Sequence, residues 1–523
     1  GNVANAISLF PNVPARNPDG TPYSNTTTGT IGQGNNTIGI DFSYPNIIFQ
    51  LENNTFRSTN YRVLGGTYLE VEPVANLRLR TQFSTDVLMT DDFQFLDPRF
   101  GDGRSANGSV YQNFSPTTRW NWINTATYTN TFADLHKLNI VVGTEFQKTA
   151  YTSFGAQGTN ISAREFGLDG IISNTLATPT IYGDASQQGL QSYFGRLNYS
   201  FKDRYLLSFT GRSDALSSLP EANRRGFFPG GSVGWRISEE PFFKNSSVAK
   251  VWDELKIRAS YAQVGNTQLA NDFLYASQYG PAKYGSQNGI GYGSIGNGQF
   301  GNYDLKWERS KKADVGIDVG FFNRRLTLSA DYYRNNVDGA ILAVRTPLSQ
   351  GVPNSRYYAN IGSLYNEGFE FSLNTRNIET ENFSWTTSFN LSTNKNRVTA
   401  LNNGEDIIDT YNITRVGESV GALYGYDYRG VNPANGNPVY AKANGTLVQG
   451  NISTSSYVVY NPNNGADIST ASTLATTDKK VLGQTNPKVF GGFSNDFTFK
   501  GFDLDIFLRY NFGNKIMNVT RQQ

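Results

Sequence analysis

Between Lys311 and Asn335 the chain alternates with a period of two residues on both sides of a single tight turn. Ala313, Val315, Ile317, Val319 and Phe321 interleave with Asp314, Gly316, Asp318, Gly320 and Phe322. After Asn323 and Arg324, the residues Leu326, Leu328, Ala330 and Tyr332 interleave with Thr327, Ser329, Asp331 and Tyr333. Side chains two apart share one face of an extended strand, so the pattern reads as a β-hairpin with one dry face and one wet face.

The same unit recurs. In "SYFGRLNYSFKDRYLLSFTGRSD", Tyr193, Leu197, Tyr199 and Phe201 lead to a turn at Lys202 and Asp203, and Tyr205, Leu207 and Phe209 follow. Arg196, Asn198, Ser200, Ser208, Thr210 and Arg212 take the other face. In "NDFTFKGFDLDIFLRYNF", Phe497 and Phe499 precede Lys500 and Gly501, and Leu504, Ile506, Leu508 and Tyr510 follow. "GSVGWRIS" and "LKIRASY" set Val233, Trp235, Ile257 and Tyr261 against Arg236, Lys256 and Arg258. Further pairs lie at Thr117 to Ala150 and Gly368 to Arg397, which brings the total to about fourteen strands in about seven hairpins, each strand about ten residues long.

Links within pairs are mostly short, whereas links between pairs run to tens of residues, as from Asn266 to Ser310 and from Asn396 to Gln484. Short turns on one rim and long loops on the other describe an outer-membrane barrel, with periplasmic turns and extracellular loops. About 9 to 11 tilted residues suffice to cross a bilayer. Aromatics at hairpin ends (Phe242 and Phe243, Phe321 and Phe322, Phe499 and Phe502) suit an interfacial girdle. A soluble sandwich or propeller also alternates apolar and polar residues, but with shorter strands and no such rule for its loops.

Composition agrees with strands. Of 523 residues 17% are charged, against about 25% in ordinary soluble proteins, while Tyr (30) and Phe (35) are abundant. A net charge of +2 gives no reason to expect nucleic acid as a partner. Without cysteine there is no disulfide framework or thiolate chemistry. The single histidine, His136, reads as a turn residue with no partner for base catalysis, and no apolar run is long enough for a transmembrane helix.

Longer motifs carry a resemblance. "RRGFFPGGSVGWRISEEPFF", "LKIRASYAQVGN", "NYDLKWERSKKADVGIDVGFFNRRLTLSADYYRNNVDGAIL", "NIGSLYNEGFEFSL" and "LGQTNPKVFGGFSNDFTFKGFDLDIFLRYNFGNKI" follow one another in the order seen in the SusC/RagA family of TonB-dependent transporters of Bacteroidetes, which the chain resembles from about residue 190 onward. The resemblance implies an all-β transmembrane antiparallel barrel of about 22 strands, of which this chain would supply about fourteen. It further implies a plug, a SusD-like lipoprotein cap, energy from TonB, and import of oligosaccharides or peptides without enzymatic activity, cofactor or metal. Assembly of two transporter-cap pairs into a dimer is left open. The alternatives are a surface-binding or scaffold barrel without transport, and a soluble glycan-binding module.

The first clear strand, near Tyr61 to Val71, and the last, Phe502 to Asn511, both place their free ends on the loop side. The segment is therefore expected to be the central part of a barrel, with plug, TonB box, signal peptide and closing strands outside it and, by itself, two unstable open edges. The wall expected to line the lumen includes Arg196, Arg212, Arg236, Arg258, Asp314, Asp318 and Asp331. Substrate-loop candidates are Tyr275, Tyr279, Tyr284, Tyr292, Arg345, Arg356, Tyr357 and Tyr358, because aromatic faces and hydrogen-bonding groups hold large polar solutes. "GYGSIG" at Gly291 to Gly296 lacks the strand and helix of a phosphate loop. Asp97, Asp102 and Asn107 lack the spacing of a calcium loop and read as a solvated turn.

Overall fold

The structure is a computed structural model that describes residues 14–24, 47–99, 103–173, 176–269, 272–287, 290–451 and 456–518, with the side chains of 279–298 outside that description. The chain divides into two compact units. One comprises 1–126, 143–193 and 518–523, and the other 127–142 and 194–517.

The first unit holds helix α1 (Ile47–Asn53), β1 (Thr55–Val74), β2 (Leu77–Leu96), and the loop-side lengths of β3 (Ser109–Phe132), β4 (His136–Ile161) and β5 (Leu176–Phe201), hydrogen-bonded in that order. At the loop-side ends of these strands, Phe93, Phe95, Val110 and Ile161 bury one another, with Ile171 and Leu176 packed alongside. Asp97, directly after β2, is buried with no exposed surface.

The second unit continues with β6 (Tyr205–Leu216), β7 (Arg225–Arg236), β8 (Trp252–Gly265), the hairpin β9 (Gln278–Gln287) and β10 (Ile290–Gln299), and then β11 (Arg309–Phe321), β12 (Leu326–Arg345), β13 (Arg356–Glu379), β14 (Phe383–Thr393) and β15 (Lys395–Ala400). Small strands follow at β16 (Ile407–Ile408), β17 (Asn412–Thr414), β18 (Ala422–Gly425), β19 (Asp427–Val431), β20 (Pro438–Ala441), β21 (Leu447–Asn451), β22 (Ser456–Val459), β23 (Ala471–Ser472) and β24 (Lys480–Gly483), before the long pair β25 (Val489–Phe499) and β26 (Phe502–Phe512). The main sheet runs β6-β7-β8-β11-β12-β13-β14-β25-β26, and β15 pairs with β13.

Register confirms the two faces. Ile257, Ile317, Ala330 and Phe371 stand in one row across β8, β11, β12 and β13, and the next row, pointing the opposite way, is Arg258, Gly316, Asp331 and Glu370. Turns form where expected. Lys202 and Asp203 both take left-handed φ values, 54° and 55°, as do Lys500 and Gly501 at 46° and 88°. Two successive left-handed residues give the turn whose twist matches the strands it joins.

Four expectations are corrected. Strands β3 and β13 have 24 residues and β4 and β5 have 26, well beyond the expected ten. The physical reason is legible on β12, where Leu326, Leu328, Ala330 and Tyr332 are succeeded on the same face by Arg334 and Asn336, so the ladder continues after its outer face has turned from apolar to polar. The first strand starts at Thr55 rather than Tyr61. The connection from β7 to β8 lies on the turn side but is not short, because Pro241 starts the helix α2 (Pro241–Lys244) there. Glu240, just before it, accepts hydrogen bonds from Tyr205 Oη (2.7 Å), Trp235 Nε1 (3.1 Å) and Arg204 Nη1 (3.1 Å). Those from Tyr205 and Trp235 hold its carboxyl below the usual carboxylate range.

The fourth correction concerns the segment from Asn396 to Gln484, which is not an open loop. Strands β16, β17, β18 and β24 form one small sheet and β19 to β23 another. Ile413, Ala422, Val439 and Val448 are buried, and Asn432 Nδ2 donates to Gln449 Oε1 at 2.7 Å where neither residue is exposed. The Gly465 and Asp467 carbonyls, the Ala434 N–H and the Asn435 amide meet the remaining groups of this pair, so a short insertion keeps a defined core.

Candidate functional site

The polar face of the second unit converges on Arg258. Its Nη2 lies 2.6 Å from Asp331 Oδ1, its Nη1 3.2 Å from Asp314 Oδ1 and its Nε 3.3 Å from Asp318 Oδ2. Lys256 Nζ reaches Asp318 Oδ2 at 3.2 Å, and Arg258 Nη2 also donates to Ser329 Oγ. The guanidinium must cross β11 to touch β12, and Gly316 is what it crosses. A Cβ at Gly316 would overlap Asp331 Oδ1 and stand 2.8 Å from Arg258 Cζ. Three carboxylates face two cations here, so the cluster keeps a formal charge of −1, and the Arg258 side chain is still 31% exposed.

The other arginines expected on this wall do not join the cluster. Arg196 Nε donates to Asn198 Oδ1 (3.2 Å), within a chain of amides and hydroxyls that includes Asn139 and Ser208. Arg212 pairs with Asp214 at 2.7 Å and lies over the Phe194 ring. Arg236 approaches Glu239 at 3.9 Å near the turns. Sequence alternation places all four arginines on one face, but only register can say which acids meet which.

At the loop end, Tyr275 packs edge-on against Tyr303 (centroids 5.9 Å apart) and Phe300 against Tyr357 (6.5 Å). Asn302 Nδ2 donates to the Tyr358 carbonyl at 2.8 Å and so fastens the segment carrying Phe300 and Tyr303 to β13. Phe300 and Tyr303, both exposed, are additions that the sequence reading missed. Their signal is the spacing of two aromatics about an Asn directly before "DLKWE". Tyr279, Tyr284 and Tyr292 lie on β9 and β10, with side chains outside the described residues, as is the side-chain setting of "GYGSIG". Arg345 and Arg356 stand directly opposite each other in the β12–β13 ladder, a like-charged pair that is unfavourable on its own. Arg345 Nη2 also donates to the Ile408 carbonyl of the folded insertion.

In the first unit Asp97 is not a solvated turn. It takes Arg99 Nε at 2.9 Å and Arg164 Nε at 2.7 Å. Burial pushes its carboxyl up, but the hydrogen bonds from Arg99, reinforced by Arg164, outweigh this and hold it below the usual range. Asn107 donates to Asn160, and Asp102 lies outside the described residues. Among the described residues no group of three or more acidic or histidine side chains could hold a metal. His136 opens β4 rather than sitting in the turn, and it does have a partner. Its Nδ1 lies 2.7 Å from Tyr199 Oη, and its ring packs on Phe201.

These features coincide with a family match. Residues 3–520 fit the family model described as TonB dependent receptor-like, beta-barrel. The chain belongs to this family. It is a TonB-dependent receptor barrel of the SusC/RagA type, a family of outer-membrane receptors and transporters. TonB-dependent receptor P3 of Formosa agariphila is 30% identical over 99% of this chain and 50% of its own length. SusC of Bacteroides thetaiotaomicron is 32% identical over 64% of this chain and 32% of its own. The RagAB peptide importer in its closed-closed state shares the fold, with a TM-score of 0.74 and 21% identity over 90% of this chain and 49% of that one. The chain thus spans about half the length of the relatives it matches most fully.

Proposed function

We propose that this chain is barrel wall and loop rim of an outer-membrane importer for oligosaccharides or peptides, working beneath a SusD-like lipoprotein cap and driven by TonB. The observation that carries the reading is the two-sided sheet: one face apolar, the other bearing Arg258, Asp314, Asp318 and Asp331 in a hydrated, incompletely neutralised cluster. Part-exposed charges that are not fully neutralised among themselves suit a surface that exchanges hydrogen bonds with a polar cargo. In this reading Arg196, Arg212 and Arg236 line the same passage, and Tyr275, Tyr303, Phe300 and Tyr357 receive the ligand at its mouth, with Tyr279, Tyr284, Tyr292 and Tyr358 as further candidates for ligand contact. The facing pair Arg345 and Arg356 suits a ligand that brings an acidic group.

The mechanism follows from the chemistry of the wall. Cargo moves past groups that exchange hydrogen bonds with it and with water, and no single strong site holds it. The test is growth on, and uptake of, labelled oligosaccharide and peptide pools by cells with and without TonB. The reading expects uptake to need TonB and to fall when Tyr275, Tyr303, Phe300 and Tyr357 are replaced by Ala with assembly intact. Ligand capture without TonB-dependent uptake would instead make the protein a surface-binding scaffold.

A further inference from the structure

Strand β13 changes partner part-way along. Residues 370–379 pair with β14 and residues 363–367 with β15. At the fork the backbone of Phe369 is served by a side chain instead, its N–H donating to Thr393 Oγ1 at 2.8 Å. Gly368 lets Thr393 approach, since a Cβ there would overlap the Thr393 carbonyl. The opening leaves a cavity of about 580 Å³ whose lining includes Tyr332, Phe369, Glu367, Lys395, Arg397 and Lys488.

This cavity sits where the outer face changes character. Tyr332 on β12 and Phe369 on β13 line its apolar side and end the rows Leu326, Leu328, Ala330 and Leu373, Phe371 on the same face, with Phe369 61% exposed. One step further along the same face stand Arg334 and Glu367, and Lys395 follows on β15. Glu367 is shared between Arg334 (3.0 Å) and Lys395 (2.9 Å). Arg397 and Lys488 are in no ion pair among the described residues, so with Glu418 the only other acid in the lining, the cavity is net cationic. An aromatic row followed by cations is the profile of a bilayer interface.

The geometry points to a binding site for a phosphorylated lipid of the outer leaflet, its acyl chain along Tyr332 and Phe369 and its phosphate against Lys395, Arg397 and Lys488. This rests on the outer-membrane reading above; the site opens at the fork where the apolar face ends, and Asn394 of its lining reaches through to Tyr333 of the polar face. Charge-assisted contacts from lysine and arginine suit a phosphate, and the exposed apolar row suits only a chain attached to it.

The full-length protein, extracted from outer membranes in neutral detergent and stripped of lipid, is titrated with bisphosphorylated lipid A, dephosphorylated lipid A and inorganic phosphate under native mass spectrometry. Retention of the bisphosphorylated lipid is expected, with roughly fivefold loss per cation removed and on the order of a hundredfold in the triple change Lys395→Gln, Arg397→Gln, Lys488→Gln. Should the triple variant fail to assemble, Arg397→Gln alone carries the test, because that side chain is in no ion pair. Equal retention by wild type and variant, equal binding of the dephosphorylated lipid, or equal binding of inorganic phosphate would each overturn the site. A wild-type protein missing from the outer-membrane fraction would break the underlying reading instead.

Discussion

Two charged clusters in this protein are inverted copies of each other. In the first unit one carboxylate, Asp97, is buried between two guanidiniums, Arg99 and Arg164. In the second unit one guanidinium, Arg258, stands among three carboxylates that are each partly exposed, whereas Asp97 has no exposed surface. The buried cluster is closed: Asp97 also takes the Arg99 backbone N–H, and its own N–H donates to Asn54 Oδ1. The open cluster has one acid too many. A buried charge survives only if fully paired, whereas a part-exposed cluster tolerates an excess that water can solvate.

The comparison breaks most sharply at Asp97. Its replacement by Ala is expected to cost about 2–4 kcal/mol, because the Arg99 backbone N–H and two part-exposed guanidiniums lose their shared buried acceptor. Denaturant unfolding of the full-length protein in detergent, followed by protease resistance, measures it, and a loss under 1 kcal/mol would mean that the site is wetter than it looks. Arg258→Met should cost less, about 1.5–3 kcal/mol, since the stranded carboxylates can take up water. Gly316→Ala should lose about 1–3 kcal/mol by overpacking alone, with Arg258 itself intact.

Acid sharpens the contrast. Asp97 has its pKa lowered in the folded protein, so its contribution is fully present above the ordinary carboxylate range and disappears as pH falls through the folded value. The stability gap between wild type and Asp97→Asn should therefore narrow progressively below about pH 4. A gap that stays constant with pH would remove the ion pairs as its cause. The smallest effect is expected at Asp314, where Asn removes the surplus charge while Asp318 and Asp331 keep Arg258 paired. The change should be within about 1 kcal/mol, in either direction. A large loss there would show that the third acid is structural.

Much of the sheet is legible in the sequence because its signals are local. Alternation over a few residues gives a strand its faces, and Lys202 with Asp203 or Lys500 with Gly501 marks a turn without reference to anything distant. Strand ends were less legible. On β12 and β13 the apolar pattern stops near Tyr332 and Phe369, and the ladder continues on backbone hydrogen bonds that no side-chain pattern records. The folded insertion was hidden for a related reason. Its strands have two to five residues, too short for a period to show, and its core rests on the pair Asn432 and Gln449, which reads as loop composition.

The site divides in the same way. From sequence alone the chain was bound to make long amphipathic hairpins with Arg258, Asp314, Asp318 and Asp331 on the polar side, since a period of two leaves no other choice. Which acids that guanidinium touches, why Gly316 lies beneath it, that Phe300 and Tyr303 meet Tyr357 and Tyr275, and that β13 forks to open a cationic cavity were decided by tertiary structure. Those contacts join residues tens of positions apart through strand register, and register is a property of the paired sheet rather than of any one strand.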